Sequence, residues 1–350
     1  MKKAKKLLCA LLAMLFVLSG CGLSANTNVP SNDDADGDTS SEVVEAPGEN
    51  ATDEEINAFI TAASSNPDKM VIKYASTSAD LNGQAYLRAA RKFLQTLKEE
   101  LGDKTDWPLG SFAEFTNAFQ PLDVPYLVTS NDESYELLTG PAGDLMTEKC
   151  IAETGLKPLY YGIIGMRQFT NSKHEIVTPD DLKGLKIRAQ NNSVQVKGLS
   201  AFGCSISTMS FSEVFTSLQQ GTIDGQENPI ETLYNFQYYD VQDYVTISNH
   251  LCTAGAVVCN NAWYEGLSDE FKAAVDKAAQ VAEAYSIEEL NSSESEVLSL
   301  LAEKMQVTEL TEEQLAAFQD VAKTAWPELV DEIGSDYMNE FLTAAGISMN

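Results

Sequence analysis

Histidine is almost missing from this chain of 350 residues, which contains only His174 and His250. Six cysteines are the other soft metal donors, and no CxxC or HExxH run occurs, so neither a metal site nor a bound cofactor is expected. Cations are scarce as well. The 23 Lys+Arg stand against 52 Asp+Glu, a formal charge of -29, which argues against a nucleic-acid partner because a phosphate backbone would be repelled. Long apolar runs are few. Leu7 to Leu18 is the longest at the N-terminus, and it falls short of the about 20 residues that a membrane-spanning helix needs.

That run follows Lys2, Lys3, Lys5 and Lys6, the charged and apolar regions of an export signal, assigned to residues 1–20. Leu18-Ser19-Gly20-Cys21 resembles a lipobox, so Cys21 is the expected lipidation site and the mature protein is expected outside the cytoplasm, anchored to the membrane. Residues 21–68 hold eleven acids and no Lys or Arg, interspersed with Ser, Asn, Thr, Gly and Pro. Such a segment cannot bury enough apolar surface to offset its ordering entropy, and it reads as an acidic, disordered tether. Only Asp53 to Ala63 within it is compatible with a helix.

From Met70 the pattern alternates between strands and helices. Val71 to Ser76 reads as a strand and Tyr86 to Leu101 as a helix with an apolar stripe at three-and-four spacing. Leu159 to Ile164 and Gly165 to Phe169 read as one or two strands, and Thr178-Pro179-Asp180-Asp181 as a helix start. Leu185 to Ala189 is a strand, Val194 to Phe202 a helix, and Ser210 with Glu213 a capping box closed by Gly221. Ile223 marks a very short strand, and Asp224 and Gly225 a turn in which Gly225 takes positive φ. Ser268 to about Met305 is nearly all helix former, Val307 to Leu310 a strand, and Pro327 starts or kinks the last helix. Repeated units of this length argue for a mostly parallel α/β architecture.

Asp180 to Gln190 (DDLKGLKIRAQ) and Ala201 to Pro229 (AFGCSISTMSFSEVFTSLQQGTIDGQENP) carry a more specific signal, which extends over most of Gly155 to His250. This pattern resembles the solute-binding proteins of tripartite ATP-independent (TRAP) transporters, of the DctP type. The resemblance implies a two-lobed, Venus-flytrap α/β fold with hinge strands and a long C-terminal helix. On that reading residues 69–350 form the binding protein, with lobe I at about 69–165 plus part of the C-terminal region and lobe II at about 166–260. One departure stands out: Gly102 to Leu122 is too short for the strand, helix and strand that the family normally places there, so either the first lobe is trimmed or the chain has diverged.

The resemblance also implies a carboxylate clamp, and Arg188 occupies the arginine position of the GLKIR strand. A guanidinium presents parallel N–H donors that match a carboxylate. The alternative is an ordinary ion pair on a surface strand. Arg167 (GMRQFTN) matches a second position near the pocket, or forms a structural ion pair, and Asn228 (ENP) matches a ligand-bonding amide, or caps a helix ahead of Pro229. Glu227 would repel an acid and is read as the partner of an arginine or lysine. Gln190 lies two residues beyond Arg188 and shares its face. Met209 and Phe211 are candidates for an apolar wall or for ordinary core, and Thr77, Ser78 and Asn82 for contacts from the other lobe. Cys150, Cys204, Cys252 and Cys259 allow three full pairings or free thiols. A thiol enzyme using Cys252, Cys259 and His250 is disfavoured, since these read as apolar strand cysteines and a surface imidazole, and no catalytic residue is assigned.

The expected function is capture of a small organic acid outside the cell and delivery to TRAP membrane permease subunits driven by an ion gradient. A ligand-binding receptor for a signalling partner and a binding-defective paralogue remain the alternatives.

Overall fold

The computed structural model describes residues 70–71, 74–75, 85–101, 105–106, 109–110 and 118–348, all within one compact unit, Pro47–Asn350. The segments expected to be an export signal and a tether, Cys21, and the positions Thr77, Ser78 and Asn82 lie outside the described residues.

At the N-terminal end β1 (Met70–Val71) and β2 (Tyr74–Ala75) run parallel to β3 (Thr105–Asp106) and β4 (Leu109–Gly110), with helix α1 (Ala85–Leu101) as the crossover. Of the short stretch after α1, these two strand pairs are the described regular structure before Gln120. The helix forms where the spacing called for it, and Ala90, Phe93 and Leu97 bury one stripe against Tyr160 and the alanine-rich start of a long C-terminal helix. Each fully buried Phe or Leu stabilises the fold by about 1.5–3 kcal/mol.

Helices α2 (Asn131–Thr139) and α3 (Pro141–Thr154) lead into β5, Leu156–Asn171, a single strand of 16 residues that carries the whole architecture. Its first part pairs antiparallel with β10 (Cys252–Asn260), and its last five residues pair antiparallel with β8 (Gly225–Pro229) and, from Phe169 on, with β9 (Tyr244–Ile247). Between the two parts lies Gly165, with φ of 131°, beside a register shift in the β10 pairing. A side chain there would be strained and would press on Pro229, so glycine is what lets the strand bend.

Strand β6 (Lys186–Ala189) lies parallel to β7 (Ser205–Thr208) and to β8, and β11 (Gln306–Glu309) lies parallel to β9. The sheet order is therefore β11-β9-β5-β8-β6-β7, with β10 added to β5. The expected mostly parallel sheet is in fact mixed, because β5 opposes all three of its neighbours. Hydrophobic alternation reports which face of a strand is buried and carries no information about its direction.

Helices α4 (Ser193–Ser200), α5 (Phe211–Gln219), α6 (Ile230–Asn235), α7 (Asn261–Glu265) and α8 (Asp269–Ala302) cover the sheet, and α9 (Glu312–Lys323), α10 (Trp326–Ile333) and α11 (Ser335–Ala345) close the chain. The 34-residue α8 spans about 51 Å at 1.5 Å per residue. It runs from the first part of β5 to β9: Ala282 packs in the cluster with α1, Leu290 in the cluster with Ile163 and Met166, and Leu301 in the cluster with Val245. Along the way its Ser286 hydroxyl and Glu283 carboxylate accept the β5 amides of Ile163 and Tyr161, both at 3.1 Å.

Three local expectations need correction. The segment after Thr178 is a 3-10 turn, Pro179–Leu182, rather than an α-helix, although Thr178 and Asp181 do form the capping box; Gly184 in the left-handed region turns the chain straight into β6. Ile223 is a buried turn residue, and the strand begins at Gly225. Gly225 does not take positive φ: a Cβ there would stand 2.1 Å from the Thr170 carbonyl oxygen, so close strand approach demands the glycine. We predict that Gly225→Ala costs about 1–3 kcal/mol or more, by overpacking against backbone that cannot yield. A chemical-denaturation curve matching the parent's would refute this.

Candidate functional site

Strands β6, β7 and β8 run side by side in one direction, so Ala189, Thr208 and Pro229 end them at one edge. In open α/β sheets ligands settle beyond such carboxyl ends. Arg188, Gln190, Met209 and Asn228 all fall at this edge.

Arg188 stands opposite Ser207 on β7 and Gln226 on β8, and its side chain is 3% exposed. Its Nε and Nη2 donate to the Met209 carbonyl at 3.2 and 2.9 Å. Among the described residues no carboxylate forms an ion pair with it and no protein acceptor meets its Nη1. Burial holds its pKa below the usual arginine value; Glu227 works in the opposite direction and Arg167 in the same one. A guanidinium can grip a carboxylate side-on through Nε and Nη2 or end-on through Nη1 and Nη2. Here the backbone occupies the first edge and leaves the second.

Arg167 is placed differently. Register pairs Arg188 with Gln226, Gln226 with Thr170, and Asn228 with Gln168, so these share one face of the sheet; Arg167, Phe169 and Glu227 alternate onto the other. Arg167 is 1% exposed and Glu227 is fully buried. The arginine donates to the Glu227 carboxylate through Nε and through Nη2 (2.8 Å), to the Glu227 carbonyl through Nη2, and to Thr253 Oγ1 at 2.9 Å through Nη1. Burial pushes the Glu227 carboxyl up, but the Arg167 guanidinium and His250 together outweigh it and hold it down to about 2.

His250 completes this cluster. The ring is fully buried, stacked on Phe169 with centroids 4.0 Å apart, hydrogen-bonded through Nδ1 to the Ser248 hydroxyl at 2.9 Å, and 3.4 Å from Glu227 through Nε2. The imidazole read as a surface group is thus a core residue, and burial lowers its pKa, so the ring is neutral near pH 7.

Asn228 is buried and does not cap α6; it lies in β8 and donates Nδ2 to the Gln226 side chain two residues back, on the Arg188 face. Gln190 is half-buried, just past β6. Met209 is half-buried. Phe211 opens α5 and is 38% exposed; it meets Phe236, 43% exposed, edge-on at 4.8 Å and Tyr238 at 6.3 Å. Burial pushes the Tyr238 hydroxyl up to about 12, while Arg188 and Arg167 act to lower it. Gln226, Tyr238 and Phe236 were not singled out from sequence. Alternation from Asn228 along a strand would have found Gln226, whereas nothing in the NFQYYD stretch marks Phe236.

Cys150, Cys204, Cys252 and Cys259 are all free. Burial pushes the Cys252 thiol up to about 11 and the Cys259 thiol to about 12, which leaves almost no thiolate near pH 7. Among the described residues no group of three or more His, Cys, Asp or Glu could hold a metal ion.

Comparison with known proteins identifies the family. The family described as bacterial extracellular solute-binding protein, family 7 (DctP) matches residues 80–332. The 2,3-diketo-L-gulonate-binding periplasmic protein of Escherichia coli K12 is 37% identical over 175 residues, 50% of this chain and 53% of that protein, so the match spans about half of the relative's length. A C4-dicarboxylate-binding periplasmic protein of Vibrio cholerae is 27% identical over 83% of this chain and 95% of its own. Among solved structures, a TRAP periplasmic solute-binding protein from Ochrobactrum anthropi, with its C-terminus bound in the ligand-binding pocket, superposes with TM-score 0.72 at 27% identity, covering 80% of this chain and 96% of that one. A sugar acid binding protein from Advenella mimigardefordensis in complex with galactonate gives TM-score 0.71 at 25% identity, covering 80% and 99%.

Proposed function

This chain belongs to family 7 of the bacterial extracellular solute-binding proteins, with their two-lobed α/β fold, and from that premise we propose that it captures a carboxylate-bearing organic acid outside the cell and delivers it to a TRAP-type membrane permease. The observation that carries this reading is Arg188. A buried guanidinium is costly unless an anion meets it. Among the described residues none does, and Arg188 stands near the carboxyl end of one of three parallel strands, on the sheet face it shares with Asn228. In a chain of formal charge -29 that guanidinium is a local exception, a fixed cation within an anionic surface.

The lobes are proposed to lie on either side of the Gly165 bend in β5, residues 69–165 with part of the C-terminal region on one side and residues 166–260 on the other. An acid gripped from both sides binds the closed form better than the open one, and only that difference can shift the population. Phe211 and Met209 then supply an apolar wall to the carbon skeleton. Arg167 acts through Glu227 and the sheet rather than by direct contact. Attachment to the membrane is proposed through a lipid on Cys21; among the described residues no helix is long and apolar enough to cross a membrane.

A thermal-shift screen with succinate, galactonate, glucuronate and their neutral counterparts tests the reading. A ligand at 100 times its dissociation constant adds about 2.7 kcal/mol. We expect at least one acid to raise the melting temperature and no neutral counterpart to do so. Equal shifts with acids and neutral compounds, or none with any acid, would count against it.

A further inference from the structure

Three residues beyond Asn228, the chain buries a second carboxylate. Glu231 lies in α6, directly after β8, and is 4% exposed. Its Oε2 accepts the amide of Ala85 at 2.9 Å, at the first residue of α1. Its Oε1 is 2.6 Å from the Ser293 hydroxyl on α8 and 3.4 Å from Arg88 Nη2 on α1. Arg88 in turn donates Nε to Glu289 of α8 at 2.7 Å. One side chain therefore joins three segments: the end of the strand that carries Asn228, the start of α1, and the long helix.

The joined parts belong to opposite sides of the bend at Gly165. Helix α1 packs on Tyr160 in the first part of β5, whereas Ile230 and Leu233 of α6 pack with Val245 beside the second part. A carboxylate suits the junction. It sits at the positive end of the 17-residue α1 dipole and beside a guanidinium, and these charge-assisted contacts are stronger than those between neutral groups. They are also directional, so they hold one relative placement of the segments and are lost when the segments part, which apolar packing does less sharply.

We propose that Glu231 is a positioning residue of the binding site: it clasps the end of β8 to the start of α1 and to α8, and thereby sets how far the cleft opens and how readily it closes on an acid. The inference rests on the reading above that the cleft takes a carboxylate. It gives the clasp a role distinct from that of Arg188, since the Glu231 carboxylate is taken up by Ala85, Ser293 and Arg88.

The test is a distance measurement between spin labels placed on exposed positions of α1 and α5, at Glu100 and Gln219, in the chain carrying Cys21→Ser. Cys9→Ser and Cys259→Ser are added to that chain, and the remaining thiols, Cys150, Cys204 and Cys252, are buried, held protonated and stay unlabelled. Without ligand, Glu231→Gln is expected to shift or broaden the distance distribution relative to the parent, and Arg88→Met, which attacks the clasp from α1, to do the same should the first variant fold poorly. With galactonate as the probe, the dissociation constant of either variant is expected to rise about tenfold, through faster release rather than slower capture. A distribution unchanged in every variant that folds overturns the clasp, whatever the ligand result. If the parent binds neither galactonate nor succinate, the reading of the cleft is at fault, and the ligand-free distances still decide the clasp by themselves.

Discussion

Alanine at position 188 is expected to abolish ligand-induced stabilisation while leaving the unliganded fold nearly as stable as the parent. The two halves of this expectation have one cause. Each hydrogen bond from a guanidinium to a carboxylate contributes about 1.5–3 kcal/mol, so losing both prongs of an end-on grip weakens binding by roughly 10²–10⁴-fold. In the unliganded protein the same side chain is buried with only the Met209 carbonyl as its hydrogen-bond acceptor among the described residues. Its removal opens a cavity but also relieves the desolvation that burial imposes on the charge, and the two effects oppose each other. Arg188→Lys should fall between, because an ammonium keeps the charge and loses the planar fork. Calorimetric titration of both variants with the best acid of the screen checks the order. An Arg188→Ala protein that binds as the parent does would remove the carboxylate clamp from the account.

The second large effect concerns stability rather than binding. Glu227→Gln leaves the Arg167 guanidinium buried without a counter-charge, and breaking such a pair from one side costs about 3–5 kcal/mol. Acid titration gives an independent check. The folded Glu227 carboxyl lies near 2, below its ordinary value of 4.5, so its contribution is fully present above about 4.5 and disappears as the pH falls from there towards 2. That window corresponds to on the order of 3 kcal/mol at 1.36 kcal/mol per unit. Between pH 5 and 2 the Glu227→Gln variant should therefore lose less stability than the parent, while starting from a lower value. Replacing Arg167 and Glu227 together by Met should recover much of the loss, because no lone charge is then left in the core. If the single variant unfolds at the parental denaturant midpoint at pH 7, the pair is not the anchor described here.

Much of the site could be read along the chain. The GLKIR strand and the helix opened by Ser210 and closed before Gly221 fall where local pattern and family resemblance placed them, since capping, glycine punctuation and strand alternation act over a few residues; the ENP segment, read as a turn, lies in a strand instead. Arg188 and Asn228 were singled out by motif, Gln190 by strand alternation and Met209 by its place ahead of a helix, and the fold brings them to one edge. Other assignments were not legible. Gly225 looked like a turn glycine, because a sequence cannot show that the Thr170 carbonyl on another strand stands where its side chain would be. His250 read as a surface imidazole, yet Phe169, far earlier in the chain, stacks on it. Four cysteines left three pairings open, and all four are free.

What the sequence determined by itself was local or compositional: the anionic charge, the amphipathic helices and their caps, and the family to which the central motifs belong. Tertiary structure alone decided which of two similar arginines is matched. Arg167 and Arg188 both sit in β-strands amid a surplus of acids, but alternation and register place them on opposite faces of one sheet. On one face Glu227 arrives from β8 to neutralise Arg167. On the other, Gln226 and Asn228 offer amides and no charge, so Arg188 keeps an open edge. A sequence lists the acids without saying which of them lies within a few ångströms of a given cation, and at that range, in a buried site, the nearest charge outweighs the net charge of the whole chain.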